Sequence, residues 1–143
     1  MSKILLVEDN YDVTEAIKEL FEEKGWDYDR VNKVVDAMDL YKEEYYDCII
    51  IDLVIDPLGL TDDEINDFYP YFGWAWLRNH LLQDKGTALY IKQKTIIFSE
   101  YVSGLRASKW KGELSELNII KKSDDLNLDS LSNKINDIIT KKR

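Results

Sequence analysis

Apolar and polar positions recur along this chain in two periods, and the switches between them mark out its elements. KILLV (3–7), CIIID (48–52) and TIIFS (95–99) are short apolar runs bounded by polar residues, the pattern of strands buried on both faces. Residues 26–31 alternate apolar and charged positions and predict a strand near a sheet edge. Leu117–Ile120 predicts a fifth strand.

Between these runs the spacing becomes helical. Val13, Ala16, Ile17, Leu20 and Phe21 share one face, which an Asp12–Glu15 capping box opens and Gly25 closes. Val34, Val35, Met38 and Tyr41 carry a second helix to about Glu44, and a third spans about Gly73 to Leu82. A Lys- and Gln-containing connection leads from there to TIIFS. A helix is expected over much of 102–113, against the tendency of Gly104 and Gly112. Leu128, Leu131, Ile135, Ile138 and Ile139 stripe the last one. Residues 53–72 break this rhythm: Pro57, Gly59 and Pro70 punctuate them, and Thr61 with Glu64 offers a second capping box for one or two helical turns.

Five strands alternating with helices imply an α/β fold, a five-stranded parallel sheet flanked by helices on both faces. Ligands of such sheets sit beyond the carboxyl ends of the strands. The polar residues expected there are Glu8 and Asp9, Asp52, Ser99 and Glu100, and Lys121 and Lys122.

Composition narrows the functional classes. The chain has 143 residues, 45% of them apolar, which suits a single domain over 1–143 with one core. A formal charge of −9 argues against a nucleic-acid surface, which needs a Lys/Arg excess. Cys48 is the only cysteine, so neither an internal disulfide nor a cysteine metal cluster can form. No apolar run approaches a membrane span, and Met-Ser-Lys leads straight into ILLV without room for a signal peptide. A cytoplasmic protein that contacts no membrane is the expectation.

The candidate chemistry centres on Asp52. A carboxylate ending a buried apolar run costs several kcal/mol to desolvate unless something pairs with it. If the strands lie side by side, Glu8, Asp9 and Asp52 converge, and three such groups cannot all stay ionised without a cation. Oxygen-only ligands suit Mg²⁺. Lys121 supplies a mobile positive charge and Ser99 a hydroxyl donor. Together these are the parts needed to move a phosphoryl group onto an aspartate.

KILLVEDN, IIIDLV, IIFSE and NIIKK, in this order and spacing, resemble the receiver domain of two-component response regulators, over nearly the whole chain except 56–72. VVDAMDLYKEEYYDCIIID, with Ala37 at a small-residue position, resembles the family as well. The resemblance implies a flavodoxin-like, CheY-like sheet of order 2-1-3-4-5. It implies Asp52 as the phosphoacceptor, Asp9 as a direct Mg²⁺ ligand, Glu8 contributing through water or a second contact, and the Val54 carbonyl completing the metal site. Ser99 would hydrogen-bond the phosphoryl group and Lys121 neutralise it. The phosphodonor would be a phosphohistidine on a histidine kinase or phosphotransfer protein. The output would be a changed surface on the family's fourth helix, fifth strand and fifth helix, read by a protein partner whose identity stays unknown.

Four features depart from that pattern. Residues 56–72 expand the loop after the acceptor strand into an acidic, aromatic insert, either a surface excursion or a partner-docking element. Glu100 stands where a small residue is usual and can point inward or outward. Lys122 occupies the place of a proline after Lys121, so a trans bond is expected between them, since a non-proline cis bond costs about 2.5–4 kcal/mol. Asn118 stands where a switch aromatic is usual, with Tyr101 as a candidate substitute. The lone His80 carries no catalytic role. Trp74 and Leu77 face the core with Trp76 to one side, Trp110 serves as packing or output surface, and the KKR tail reads as a solvated helix end.

The leading function is a stand-alone receiver that signals by protein contact. The alternative is a degenerate receiver used as a phosphorylation-independent interaction module, on the strength of Glu100, Lys122 and the insert. A haloacid-dehalogenase-type phosphatase fits poorly, because Asp52 and Asp56 are too far apart and on the wrong strand.

Overall fold

Strand parity decides where each side chain of the sheet is buried. In this computed structural model, which describes residues 2–123 and 125–141, five strands form one parallel sheet in the order β2-β1-β3-β4-β5. They are β1 (Lys3–Val7), β2 (Asp27–Val31), β3 (Cys48–Ile51), β4 (Thr95–Ser99) and β5 (Asn118–Lys121). Even-numbered Ile4, Leu6, Cys48, Ile50, Ile96 and Phe98 face one layer, where α1 (Tyr11–Lys24) and α7 (Leu128–Lys141) cover them. Odd-numbered Leu5, Val7, Ile49, Ile51 and Ile97 face the other. That second layer is built from α2 (Val34–Glu43), α4 (Phe72–Trp76, continued by a π turn over Leu77–Leu81), α5 (Ala88–Lys94) and α6 (Val102–Arg106). Each fully buried aliphatic side chain contributes roughly 1.5–3 kcal/mol, so the two layers hold the sheet from both faces.

Several expected boundaries move. The first helix is capped not by an Asp12–Glu15 box but by Asn10, whose side chain accepts from the Val13 N–H at 3.1 Å; Asp12 sits within the first turn. Gly25 closes that helix in the left-handed region, φ 72°. Residues 83–94, expected as connection, contain α5, whose Ile91 reaches the core. The helix expected over much of 102–113 stops at Arg106 and resumes only as a 3-10 turn over Lys111–Glu113. Trp76 does not fall to one side: it is buried, with Tyr41 edge-on to it at 6.2 Å. Of the KKR tail, Lys142 and Arg143 lie outside the described residues.

Residues 52–71 connect β3 to α4 and carry α3 (Asp62–Phe68). Its Thr61–Glu64 capping box forms in both directions, at 3.2 and 3.0 Å. Phe68 is buried and stacks on Trp110 at 4.4 Å, and Glu64 accepts from Asn79 at 2.9 Å and contacts His80 at 3.0 Å. The segment is therefore anchored to α4 and to the stretch after α6. Gly73 lets α4 begin directly behind β3, for a Cβ there would stand 2.0 Å from the Asp52 carbonyl oxygen.

Candidate functional site

Glu8 and Asp52 occupy equivalent places, each one residue beyond its strand. Val7 pairs with Ile51 and Ile51 with Ile97 in register, so the two carboxylates emerge side by side. Both are nearly sealed from solvent, at 1% and 6% exposure. Asp9, exposed, joins them: one carboxylate oxygen from each of Glu8, Asp9 and Asp52 lies within 4.8 Å of the others.

The cation that answers these charges is Lys122. Its Nζ donates to Glu8 Oε1 at 2.7 Å and to Asp52 Oδ2 at 2.9 Å, and it is only 7% exposed. Lys121, assigned that place from the sequence, is the last residue of β5 and is exposed. The reason is strand length. Ser99 pairs with Lys121, which extends β5 by one residue, and the Lys122 N–H then donates to the Ser99 carbonyl at 3.0 Å. A shift of one residue exchanges the two faces of a strand, so Lys122, not Lys121, continues the Ile120 face toward Glu8 and Asp52. The peptide bond between the two lysines is trans, as expected.

With Lys122 as the site lysine, its neighbours along β5 change too. The residue after the site lysine is Ser123, and the position three before it is Ile119, packed against the core. Asn118 instead ties the strand to the end of α5, its Nδ2 donating to the carbonyls of Lys92, Gln93 and Thr95 at 3.3, 3.2 and 3.0 Å.

The remaining parts surround the acids. Asp52 Oδ1 accepts from the Leu53 N–H at 2.7 Å, and Glu8 Oε2 from the Asn10 N–H at 3.2 Å. Ser99 is fully buried at the end of β4, where its Oγ accepts from the Tyr101 N–H at 3.1 Å; its own O–H remains to donate. A cleft of about 420 Å³ opens over Asp9, Asp52 and Lys122, with Val54, Glu100 and Tyr101 on its walls. Glu100 is exposed at its rim. Arg30, at the end of edge strand β2, was not among the residues singled out from the sequence. Its Nε donates to the Glu8 carbonyl at 3.0 Å, and its charge favours an ionised Asp9.

The electrostatics are those of an acid cluster short of positive charge. Burial, then repulsion from Asp52, pushes the Glu8 carboxyl up to about 7 against the pull of Lys122. The same two causes raise Asp9. Burial works against the Lys122 ammonium, yet Asp52 and Glu8 outweigh it and hold that group above its ordinary value. One lysine thus faces three carboxylates. A hard divalent ion with oxygen ligands fits this donor set, and Mg²⁺ suits one or two carboxylates with water and phosphate oxygens.

No protein-family model matches the chain, and no curated protein matches it. Solved structures do. The receiver domain of the Francisella response regulator 1452 is 22% identical with a TM-score of 0.70, the alignment covering 100% of both chains. The response regulator TrrA of Thermotoga maritima, in complex with Mg²⁺ and BeF, is 20% identical over 96% of this chain and 99% of that one, TM-score 0.62. A complex of the histidine kinase ThkA with TrrA matches at 22% identity, over 97% and 99%, TM-score 0.64. The fold of this chain is that of response-regulator receiver domains.

Proposed function

We propose that this chain is a receiver which takes a phosphoryl group onto Asp52 from a phosphohistidine of a histidine kinase or phosphotransfer protein. The observation that carries the reading is the single ammonium of Lys122 bonded to both Glu8 and Asp52 beside a third carboxylate. Such a lysine is poised to leave one partner for an incoming phosphoryl oxygen. The Mg²⁺–BeF complex of TrrA and its complex with a kinase support the same assignment by similarity.

In the reaction, an Asp52 carboxylate oxygen attacks phosphorus while the bond from phosphorus to the donor imidazole nitrogen breaks and its electron pair returns to that nitrogen. Asp9 and Asp52, with Glu8 and the Val54 carbonyl, would hold Mg²⁺, which when bound supplies positive charge to the transferring oxygens. Lys122, the residue that takes the role first assigned to Lys121, neutralises a phosphoryl oxygen, and the Ser99 hydroxyl donates to another. Ser99 and Tyr101 share a hydrogen bond ahead of α6, so a shift of Ser99 toward the phosphoryl group pulls on the surface of α6, β5 and α7, where a protein partner reads it. Residues 56–72, which expose Leu58 and Tyr69, act as a docking element. The alternative, an interaction module indifferent to phosphate, keeps Glu100 and residues 56–72 among its grounds, and Ser123 replaces Lys122 as the non-proline residue after the site lysine.

Incubation with a small phosphodonor and Mg²⁺, then intact-mass measurement, tests the reading. One added phosphoryl group that Asp52→Asn abolishes is the expected result; an unmodified wild-type chain, with no response of the Ser99 and Lys122 amide resonances to beryllofluoride, would sink it.

A further inference from the structure

The segment between β3 and α4 is fixed at one end and clasps the stretch after β4 with the other. Asp56 and Leu58 fix its start: their carbonyls accept from the Val34 and Val35 N–H groups, at 3.1 and 2.7 Å, where α2 begins. Glu64 then ties α3 to Asn79 and His80 of the π turn. From that base the segment reaches residues 104–110. Phe68 and Trp110, both buried, lie ring on ring, 5° from parallel. Asp67 pairs with Lys109, whose Nζ lies 4.9 Å from the centre of the Trp110 ring. The Tyr71 hydroxyl rests against Gly104 of α6, where a Cβ would overlap it.

Arg78, in the π turn, closes the clasp from the opposite side. Its guanidinium lies 5.8 Å from the Phe68 ring centre and 4.7 Å from that of Trp110, and its Nε donates to Glu113 Oε1 at 2.8 Å. The buried ring stack and the cation against it contribute most of the grip, the exposed Asp67–Lys109 pair least. Packed contacts of this kind hold one arrangement or give way to another; they do not stretch. They coexist here with the hydrogen bond from the Tyr101 N–H to Ser99 Oγ, 3.1 Å long, at the start of α6. A move of Ser99 toward Asp52 has to break that bond or draw α6 along. Drawing α6 along shifts Gly104 under Tyr71 and pulls Trp110 against Phe68.

We propose that residues 61–71 are an inhibitory strap. By gripping residues 104–110 they favour the arrangement in which Ser99 is hydrogen-bonded to Tyr101, and they oppose the one in which Ser99 approaches a phosphoryl group on Asp52. The proposal rests on the phosphoacceptor reading and adds a regulation to that site. Linkage makes the effect reciprocal. Loading Asp52 separates Phe68 from Trp110, and separating that pair eases the loading of Asp52.

The test follows amide and indole N–H resonances of the ¹⁵N-labelled full-length chain as beryllofluoride is titrated in saturating Mg²⁺. In the wild type, the α3 amides and the Trp110 indole should move with the same midpoint as the Ser99 and Lys122 amides. Phe68→Leu keeps an apolar side chain without a ring to stack, and should lower that midpoint roughly five-fold or more. Should Phe68→Leu lose its dispersed spectrum, Asp67→Lys, at an exposed position, should shift the midpoint the same way by a smaller factor. Adding Lys109→Asp to it should restore the wild-type value. Resonances of α3 that stay still while Ser99 and Lys122 respond, or an unchanged or raised midpoint in the variants, overturn the strap and leave the phosphoacceptor reading standing. No response to beryllofluoride anywhere sinks that reading instead. The grip on α6 is then read without ligand: displaced Ser99 and Tyr101 amides in Phe68→Leu support it, and unmoved ones overturn it.

Discussion

Two lysines are buried at opposite ends of the same sheet, and only one of them is bonded to a pair of carboxylates. Lys122, at the carboxyl end of β5, is 7% exposed; Lys94, just before the amino end of β4, is 6% exposed. Lys94 Nζ donates to the Tyr46 carbonyl at 2.9 Å and lies 4.6, 4.9 and 5.7 Å from the ring centres of Tyr45, Tyr90 and Tyr41. Burial dominates there and pulls its ammonium below the ordinary value, with Asp47 opposing. At Lys122 burial is as close to complete, yet Asp52 and Glu8 win and the shift is upward. Equal burial therefore does not imply equal role. Lys94 is a strut held by a carbonyl and by ring faces. Lys122 is held by two carboxylates, one of them the Glu8 carboxyl pushed up to about 7 and the other the proposed acceptor of a phosphoryl group.

Removing each lysine should separate the two roles. Lys122→Met leaves Glu8 and Asp52 buried without their shared cation, a class of change that costs about 3–5 kcal/mol, with the low end expected because Glu8 can take up a proton. Urea unfolding measures that loss. Mass gain from a small phosphodonor should fall by at least roughly a hundred-fold, which corresponds to about 2.7 kcal/mol of barrier. Lys121→Met is the control, and equal damage from it would return the site to the neighbouring residue.

The comparison sharpens with pH. The fold raises the Glu8 carboxyl from 4.5 to about 7 and raises Asp9 as well. A carboxyl raised in the native state stabilises that state in its protonated form, so the contribution is complete below about 4.5 and disappears as pH rises through about 7. Without metal, the melting temperature should lose this contribution across that window. Mg²⁺ competes with the protons, so the stabilisation it brings should grow across the same window. A Mg²⁺ increment that is flat with pH, read by differential scanning fluorimetry, would contradict the shared-acid picture.

Lys94→Met should give the smallest effect. It removes one donor from the Tyr46 carbonyl and a cation from three ring faces, for a loss of about 1–3 kcal/mol in unfolding free energy, and it should leave phosphoryl uptake and the Mg²⁺ response untouched. Loss of phosphoryl uptake in this variant would erase the distinction between the two ends.

Much of this was legible in the one-dimensional pattern. Runs such as KILLV and TIIFS match β1 and β4 residue for residue, because a strand buried on both faces needs continuous apolar chain. Glu8, Asp9 and Asp52 were legible as a cluster for a related reason, since parallel strands in register deliver the residues just past their carboxyl ends to one edge. The failures were local and short. Asn10 outcompetes Asp12 as a cap because the chain leaves β1 only three residues earlier, and α5 leaves little trace in the sequence because its one buried apolar residue, Ile91, makes no periodicity.

Which lysine faces the acids is the clearest division between sequence and structure. Alternation along a strand is a property of the chain itself, and Ile120 with Lys122 already shares the parity that Ile50 has with Asp52 and Leu6 with Glu8. The length of β5 is not such a property. It is fixed by hydrogen bonds to β4 at Ser99, partners more than twenty residues away, and that pairing alone carries the strand through Lys121 and turns Lys122 inward.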